Sequence, residues 1–301
     1  MQTDIFIEKE RHGYRYEKNE FCTYRRGYLT RLLAEDGHTA AIFGAEKAET
    51  DGVQLLSDLS ALENADCVLL PLPLFGNGEL NMPLSEKKVT MSDILRRIKP
   101  SVPILGGKIP SSTADMAKLH GFTLIDYLER EELAVANAVP TAEGACALAM
   151  EELPITLSDA KALVVGFGRC GEILAHRLAA LGCDVTVSAR KYSDFAWIEA
   201  YGYKHIPTSD IASYGGSFDV VFNTVPALVL DETALRSLRR DCLVIDLASK
   251  PGGVDLAEAE RLNIKAIHAL GLPGKTAPVT AGEIIAESII DTLKKGGGGN
   301  V

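Results

Sequence analysis

The sequence predicts an α/β protein with two Rossmann-like, doubly wound domains that have a cleft between them and are joined by long helices. Two observations underlie this prediction. Segments that resemble strands and segments that resemble helices alternate along most of the chain, which is typical of βα units and parallel sheets. The length of 301 residues is also sufficient for two domains, each with a core of its own.

The composition excludes several classes of function. The chain is 47% hydrophobic and 24% charged, which is usual for soluble globular proteins. Its net charge of −10 argues against nucleic acid or an anionic membrane as a partner. The sequence contains no run of ~18 apolar residues and no signal peptide, so we expect a cytoplasmic protein.

The cysteines point to neither a disulfide framework nor a metal site. They form no C-x-x-C pair and have no histidine at a metal-ligand spacing, which fits a reducing cytoplasm. The six are scattered along the chain: Cys22, Cys67, Cys146, Cys170, Cys183 and Cys242.

The first domain is expected over residues 1–128, together with a C-terminal helix over residues 280–295. A helix that closes at Gly37 should lead into the first of four strands, predicted at residues 39–43, 67–75, 102–107 and 122–127. The C-terminal helix should dock on this domain because five apolar residues share one of its faces: Ile284, Ile285, Ile289, Ile290 and Leu293. The glycine-rich residues 296–301 are expected to form a disordered tail.

Residues 128–154 should link the domains through two helical segments, one on each side of Pro140. Proline disrupts a helix interior and suits the first turn of a new helix, so we expect a break followed by a helix that starts near Thr141. The free amide groups of that helix N-terminus, from Thr141 to Gly144, would bind a carboxylate, with Asn137 beside them. The alternative is that Thr141 only caps the helix.

The second domain, expected over residues 129–279, carries the clearest functional signal. Its strands are predicted at residues 162–166, 184–188, 220–223, 243–246 and 266–269. A G-x-G-x-x-G turn lies between the first strand and an Ala/Leu-rich helix, where glycines permit a tight turn, the approach of a pyrophosphate and close helix–strand packing. We therefore predict a dinucleotide site that includes Gly166, Phe167, Gly168, Arg169, Cys170 and Gly171.

The end of the next strand selects the nucleotide. NAD-binding proteins usually carry Asp or Glu there, which holds the ribose 2′-hydroxyl. This chain has Ser188, Arg190 and Lys191 instead, a hydroxyl and two cations that favour a 2′-phosphate. NADP is therefore predicted as the cofactor, with NAD as the alternative.

Loops at three later strand ends should form the nicotinamide side of the site, because ligands of open α/β sheets bind beyond the carboxyl ends of the strands. Ordinary Pro/Gly turns are the alternative interpretation. The loop residues assigned to the cofactor are Asn223, Thr224, Val225, Pro226, Leu247, Ala248, Ser249, Leu272 and Pro273.

Five segments together resemble the A subunit of dipicolinate synthase: "NAVPTAEGACALAMEE", "VVGFGRCGEILAHRLAALGCDVTVSARK", "NTVPALVLDETAL", "VIDLASKPGGVD" and "GLPGKTAPVTAG". The resemblance implies a two-domain NAD(P)-dependent oxidoreductase of spore-forming bacteria. It would oxidise a dihydrodipicolinate-type product of the lysine pathway to dipicolinate, alongside a flavoprotein-like second subunit (the B subunit). The family opens with a strand and a Gly-Gly-Asp turn, whereas this chain begins "DIFIEKERHGYRYEKNEFCTYRRGYL" after three residues.

Such a substrate is a dianion, so its binding site needs cationic side chains. The reaction removes a hydride and a proton from it, and for this the protein mainly has to orient the substrate and place charges around it. No general base stands out, and the catalytic candidates are His268, Lys108 and Lys250. A further cation candidate is Arg25. The substrate-binding candidates are Asn137, Pro140, Thr141, Gly144, Gly107, Lys108 and Lys275.

Two other functions remain open at this point. One is an NADP-linked dehydrogenase of another small carboxylated imine or enamine. The other is a nucleotide-binding regulatory subunit that is inactive without its partner. By analogy with two-domain dehydrogenases, we expect a homo-oligomer such as a dimer.

Overall fold

The structure is a computed structural model that describes residues 32–33, 37, 39–44, 54–72, 74–76, 79–82 and 85–294. Its contacts divide the chain into two compact units. The first unit comprises Met1–Ala134 and Pro278–Val301, and the second unit comprises Val135–Ala277. Most of the predicted helix before Gly37, the candidate Arg25 and residues 296–301 lie outside the described residues.

The first unit contains short strands that are mostly parallel. The strands are β1 (Ala41–Phe43), β2 (Gln54–Leu56), β3 (Val68–Leu69), β4 (Phe75–Gly76), β5 (Glu79–Leu80), β6 (Ile104–Gly106) and β7 (Leu124–Asp126). β1 pairs with β2, a parallel sheet has the order β3-β6-β7, and β4 and β5 form an antiparallel hairpin. Each of the four predicted strands contains an observed one, whereas β2 and β5 had no prediction.

Two helices of this unit follow the hairpin, α1 (Met91–Leu95) and α2 (Ser111–Leu119). Thr90 caps α1: its hydroxyl accepts from the Asp93 amide, while the Asp93 carboxylate accepts from the Thr90 amide. α1 buries Met91, Ile94 and Leu95 in the core that also contains Ile104 of β6.

The helix α3 (Glu131–Glu152) is continuous through Pro140, so the predicted break at Pro140 is wrong. Proline has no N–H and costs one helical hydrogen bond. Burial compensates for this loss, because Ala142, Ala145 and Ala149 pack without exposure in the core of the second unit. The predicted helix N-terminus at Thr141–Gly144 is therefore also wrong: these residues lie inside the helix, where amide groups donate to carbonyls one turn earlier.

By length and composition alone, α3 is apolar enough to cross a membrane, and it is the one such helix among the described residues. Within its most apolar window, 44% is buried inside the protein. Core helices of globular proteins meet the same criterion, so this feature gives only weak evidence of a membrane span.

The second unit is a six-stranded parallel sheet in the order β10-β9-β8-β11-β12-β13. Its strands are β8 (Lys161–Val165), β9 (Asp184–Ala189), β10 (Lys204–Pro207), β11 (Val220–Asn223), β12 (Leu243–Asp246) and β13 (Ala266–His268). Five of the six were predicted, and β10 was not. The helices of this unit are α4 (Arg169–Ala180), α5 (Tyr192–Ala200), α6 (Ile211–Tyr214), α7 (Glu232–Ser237), α8 (Leu256–Arg261) and α9 (Leu272–Thr276).

Both faces of this sheet are covered, which confirms the predicted doubly wound α/β fold. Ala162 and Val164 of β8 belong to the core on one face, whereas Leu163 and Val165 belong to the core on the other. All four side chains are fully buried, as the side-chain alternation of a strand between two helical layers requires.

The last helix, α10 (Pro278–Lys294), belongs to the first unit and buries Ile285 and Ile289 beside Leu105 and Tyr127. Arg130 ties it to the chain just before α3: its guanidinium donates to the Thr292 hydroxyl at 2.6 Å and to the Ser288 carbonyl at 3.0 Å. The predicted C-terminal helix is therefore present, and it packs on residues of the first unit.

Candidate dinucleotide-binding site

The glycine turn follows β8 directly, and its first glycine cannot be replaced without strain. Gly166 has φ of +98°, a backbone conformation that side chains disfavour. A Cβ atom there would also lie 2.6 Å from the Thr224 hydroxyl and 2.8 Å from Cγ2 of Val225. The Gly166 amide donates to the Ser188 carbonyl at 2.9 Å, so the turn remains anchored to β9.

The other two glycines have opposite surroundings. A Cβ atom on Gly171 would lie 2.1 Å from the Gly166 carbonyl oxygen, so this glycine lets α4 approach the turn. Gly168 faces open space, because a Cβ atom there would have no other atom within 4 Å. It immediately precedes α4 and makes no side-chain cap, which leaves the first amide groups of a 12-residue helix directed at an open surface.

The remaining residues of the turn differ in exposure. Arg169 is exposed, whereas Phe167 and Cys170 are half-buried. Burial raises the pKa of the Cys170 thiol to about 11, so this thiol is neutral at physiological pH.

A cavity of about 430 Å³ lies at the carboxyl ends of β9 and β10. Arg190 supplies its one cation, and no carboxylate is among the described residues that line it: Ala189, Arg190, Tyr192, Phe195, Pro207, Thr208, Ser209 and Val229. Lys191 is exposed but is not part of this lining. The lining combines a guanidinium, two hydroxyls and aromatic rings.

Ser188 does not line the cavity because its side chain is fully buried within the sheet. The hydroxyls that do so, Thr208 and Ser209, follow the unpredicted strand β10. The sequence offered one usable signal for them, a Pro-Thr-Ser-Asp turn directly after an apolar residue.

The loops after β11 and β12 are held together by a buried polar network. Asn223 donates to the Asp246 carboxylate at 2.8 Å and to the Val225 carbonyl at 3.0 Å, and it accepts from the Val225 amide. Asp246 also accepts from the amide groups of Ala248 at 3.1 Å and Gly253 at 2.9 Å. Both side chains are buried, so they shape the two loops from within.

The predicted cofactor residues in these two loops differ in accessibility. Thr224 donates to the Val165 carbonyl at 2.9 Å, which fixes the loop against β8. Pro226 and Ser249 are exposed, whereas Ala248 is buried. Thr224, Val225 and Leu247 are half-buried.

His268 ends β13, and its Nε2 atom lies 2.9 Å from the Ala248 carbonyl oxygen. Lys250, in the loop after β12, is exposed. In α9, Leu272 is buried, Pro273 is half-buried and Lys275 is exposed.

α3 carries four of the predicted substrate residues, and all four belong to the second unit: Asn137, Pro140, Thr141 and Gly144. Gly144 permits close packing against α9, because a Cβ atom there would lie 2.5 Å from the Thr276 hydroxyl. Thr141 donates to the Asn137 carbonyl at 2.7 Å. The Oδ1 atom of Asn137 is buried and has no hydrogen-bond partner among the described residues.

The first unit holds two further predicted substrate residues, Gly107 and Lys108, at the carboxyl end of β6. Lys108 has φ of +56°, which is uncommon for a residue with a side chain, and it is exposed. Gly107 packs where a Cβ atom would lie 2.7 Å from Cδ1 of Leu72. Asp126 holds this loop by accepting from the Ile109 amide at 2.7 Å.

Within the part of the chain that the structure describes, no three His, Cys, Asp or Glu side chains are grouped so that they could hold a metal ion. The described cysteines are all free thiols. Burial raises the pKa of Cys146 and of Cys183 to about 11, which keeps both thiols neutral.

A parallel, doubly wound sheet whose first strand leads into a glycine turn and a helix N-terminus defines the class of Rossmann-type dinucleotide-binding proteins. Residues 24–128 match the family described as the N-terminal domain of the dipicolinate synthase A subunit. The chain is 34% identical over 270 residues to the dipicolinate synthase A subunit of Bacillus subtilis (strain 168), which covers 88% of this chain and 91% of that protein. The chain therefore belongs to the family of dipicolinate synthase A subunits.

Solved structures agree with this assignment. The dipicolinate synthase A subunit from Bacillus halodurans has a TM-score of 0.82 at 31% identity, covering 89% of this chain and 94% of that one. The A chain of dipicolinate synthase from Bacillus subtilis has a TM-score of 0.84 at 30% identity, covering 90% and 93%. A transhydrogenase from Sinorhizobium meliloti, at 15% identity and a TM-score of 0.66 over 89% and 87%, shares the fold.

Proposed function

We propose that this chain is the catalytic A subunit of a dipicolinate synthase, which oxidises a dihydrodipicolinate-type product of the lysine pathway to dipicolinate with NADP during sporulation. Membership of the family and the glycine turn support the reaction class. The cavity beside Arg190 is the observation that supports NADP rather than NAD as the cofactor. A guanidinium and two hydroxyls line it, and no carboxylate is among the described lining residues.

The charge of this cavity suits a 2′-phosphate better than a 2′-hydroxyl. Arginine binds phosphate through paired, charge-assisted hydrogen bonds, and the hydroxyls of Thr208 and Ser209 are additional donors. A carboxylate at the end of β9, as NAD-binding proteins carry it, would repel the phosphate. NAD remains the alternative cofactor.

When bound, NADP supplies the hydride acceptor. The glycine turn and the first turn of α4 would hold its pyrophosphate, and the loops after β11 and β12 would orient its nicotinamide. Forming an aromatic ring is favourable by itself, so the chain contributes mainly orientation and charge placement.

The substrate carries two carboxylates, and exposed lysines are the side chains that we assign to them. Lys108, Lys250 and Lys275 are all exposed. The unpaired oxygen of Asn137 suits a donor on the substrate, such as a ring N–H.

We further propose that the chain functions in the cytoplasm, as a homo-oligomer and together with a flavoprotein-like B subunit. The word "subunit" in the names of its relatives supports such a partner. The composition and the scattered cysteines support the location.

The test is turnover. The purified chain, alone and mixed with its second subunit, is given NADP and freshly generated dihydrodipicolinate, and NADPH and dipicolinate are measured separately. We expect both products in equal amounts from the chain alone. Turnover only in the mixture favours the regulatory alternative, and turnover of another carboxylated imine alone favours the generic dehydrogenase. An absence of products in both samples contradicts the proposal.

A further inference from the structure

His268 occupies a position suited to proton transfer at the carboxyl edge of the second unit's sheet. It is the last residue of β13 and is half-buried. The edge where β13 ends is also the edge that carries the glycine turn, because all six strands are parallel. Ligands of such sheets bind along this edge.

The hydrogen bond of His268 fixes which ring nitrogen carries the proton. Nε2 lies 2.9 Å from the Ala248 carbonyl oxygen, which can only accept, so Nε2 is the donor. In the neutral ring, Nδ1 then has a free lone pair. Nδ1 has no partner among the described residues and is not one of their buried unpaired atoms, so it is open to solvent and able to accept a proton.

Asp246 fixes the position of Ala248, the residue whose carbonyl accepts from His268. Its carboxylate accepts from the Ala248 amide at 3.1 Å, and the carbonyl of the same residue accepts from His268. Asp246 and His268 also flank Gly252: a Cβ atom there would lie 2.6 Å from Oδ2 of Asp246 and 3.3 Å from Cε1 of His268. The carboxylate and the ring are therefore within about 6 Å of each other.

Asp246 is the acidic side chain that these contacts place near His268. Asp246 lies on the adjacent strand β12, makes no ion pair with any described residue and is 1% exposed. Its carboxylate accepts hydrogen bonds from three N–H donors, those of Asn223, Ala248 and Gly253. Lys250, in the loop after β12, is exposed.

We propose that His268 is the general base of the reaction and that Asp246 is its positioning residue, acting through the peptide groups of Ala248. This inference rests on the proposed function. One ring carbon of the substrate loses its hydrogen with the bonding electrons to NADP⁺, which becomes NADPH. A second ring atom loses a proton to Nδ1 of His268, and the electron pair that remains completes the aromatic ring. The imidazolium then releases its proton to solvent.

The other described histidines of the second unit do not share this geometry. His176 lies on α4, away from the loops after β11 and β12, and its Nδ1 is 2.6 Å from the Tyr203 hydroxyl. Nε2 of His205 pairs with Glu199, and its Nδ1 is buried without a partner. Neither ring offers an accessible lone pair at the edge where the strands end.

His268→Gln and His268→Ala test the base. Glutamine retains a donor for the Ala248 carbonyl but has no basic nitrogen, so we expect kcat to fall by about 10²–10⁴-fold, with NADPH affinity within twofold of the wild type. Added imidazole should restore turnover of the alanine variant in proportion to its concentration, and more basic imidazoles should restore it better. The control is His120→Ala, an exposed residue at the end of α2, which should retain wild-type kcat and ignore imidazole.

Asp246→Asn tests the positioning role in wild-type and His268→Gln backgrounds. Asparagine directs an NH₂ group at the Gly253 amide, which is itself a donor, so the loop should shift. We expect kcat to fall at least tenfold in the wild-type background, with the KM for NADP⁺ within threefold. The same change should have less than a twofold effect once His268 is Gln, because the two residues act as one unit. Equal effects in both backgrounds would overturn the positioning role.

The activity of the wild-type protein shows whether a negative result concerns the proposed function or only the role of His268. If it does not oxidise dihydrodipicolinate with NADP, alone or with its second subunit, the proposed function and this inference are both wrong. If it does and His268→Gln keeps kcat within threefold, the function stands and His268 is not the base. A misfolded alanine variant does not alter this decision, because NADPH binding by the glutamine variant reports its folding.

Discussion

The amide group of Asn223 donates a hydrogen bond of 2.8 Å to the carboxylate of Asp246 across the neighbouring strands β11 and β12. Asn223 is fully buried and Asp246 is 1% exposed. Through this bond, the loops after two strands share one polar centre and cannot move independently of each other. The predicted nicotinamide side of the cofactor site is built on these loops.

We expect Asn223→Ala to lower the free energy of unfolding by about 2–3 kcal/mol, because the Val225 amide and one oxygen of Asp246 lose a buried partner. Asn223→Asp should be more destabilising, because two buried carboxylates at hydrogen-bond distance cannot both ionise. Urea denaturation measures both effects. A variant as stable as the wild type would show that the network does not hold these loops.

The glycine turn offers a matched pair of substitutions. Gly171→Ala should cost at least about 1–3 kcal/mol of stability, because the new methyl group overlaps the Gly166 carbonyl. Gly168→Ala meets open space at an ordinary φ of −95° and should cost less than about 1 kcal/mol.

The same two variants should separate folding from binding. The methyl group of Gly168→Ala would enter the space that we propose for the pyrophosphate, so NADPH affinity should fall at least tenfold, about 1.4 kcal/mol. Thermal unfolding and NADPH titration give the two readouts. Unchanged affinity in a folded Gly168→Ala variant would remove the pyrophosphate from this turn.

The sequence was most informative where strands are buried on both faces. β8, β11 and β12 contain continuous apolar runs because helices cover both sides of the sheet, and such runs are visible without a structure. The glycine turn was equally visible, because the G-x-G-x-x-G spacing lies between an apolar strand segment and a helical segment. β10 escaped prediction because it is an edge strand with a single buried apolar residue, Ile206.

Long-range interactions account for what the sequence could not show. The local preference of proline predicts that a helix ends at Pro140. α3 nevertheless continues through this residue, because the packing of its alanines in the core outweighs one lost hydrogen bond. Asp246 resembles any other aspartate until the fold brings Asn223, 23 residues earlier, against it. The hydroxyls of Thr208 and Ser209 became site candidates only once β10 was placed beside β9.

Arg130 should be important for the docking of α10. Arg130→Met keeps the aliphatic part of a side chain that is only 18% exposed and removes its hydrogen bonds to Ser288 and Thr292. We expect the free energy of unfolding to fall by about 1.5–3 kcal/mol, the range for hydrogen bonds with a charged partner. The control is Arg261→Met, because the Arg261 side chain is exposed and its ion pair with Glu258 should leave the free energy of unfolding nearly unchanged.

The Cys170 thiol should resist alkylation at neutral pH. Burial raises its pKa to about 11, so the reactive thiolate is scarce at pH 8 and increases as the pH approaches that value. Mass spectrometry of iodoacetamide-treated protein should show slower labelling at Cys170 than in a free cysteine peptide. Rapid labelling at pH 8 would mean that the thiol is more accessible than the structure indicates.

Fluorescence titration of the purified protein with NADPH and with NADH, repeated on Arg190→Ala and Lys191→Ala, is the most direct test of the cofactor site. The wild type should bind NADPH at least tenfold more tightly than NADH, about 1.4 kcal/mol. Arg190→Ala should weaken NADPH by about 10–100-fold, as loss of a charge-assisted hydrogen bond does, and leave NADH nearly unchanged. Lys191→Ala, which alters a residue outside the cavity lining, should change NADPH affinity less than threefold. Equal affinity for the two nucleotides, or an equal loss of both in Arg190→Ala, would contradict a 2′-phosphate site beside Arg190.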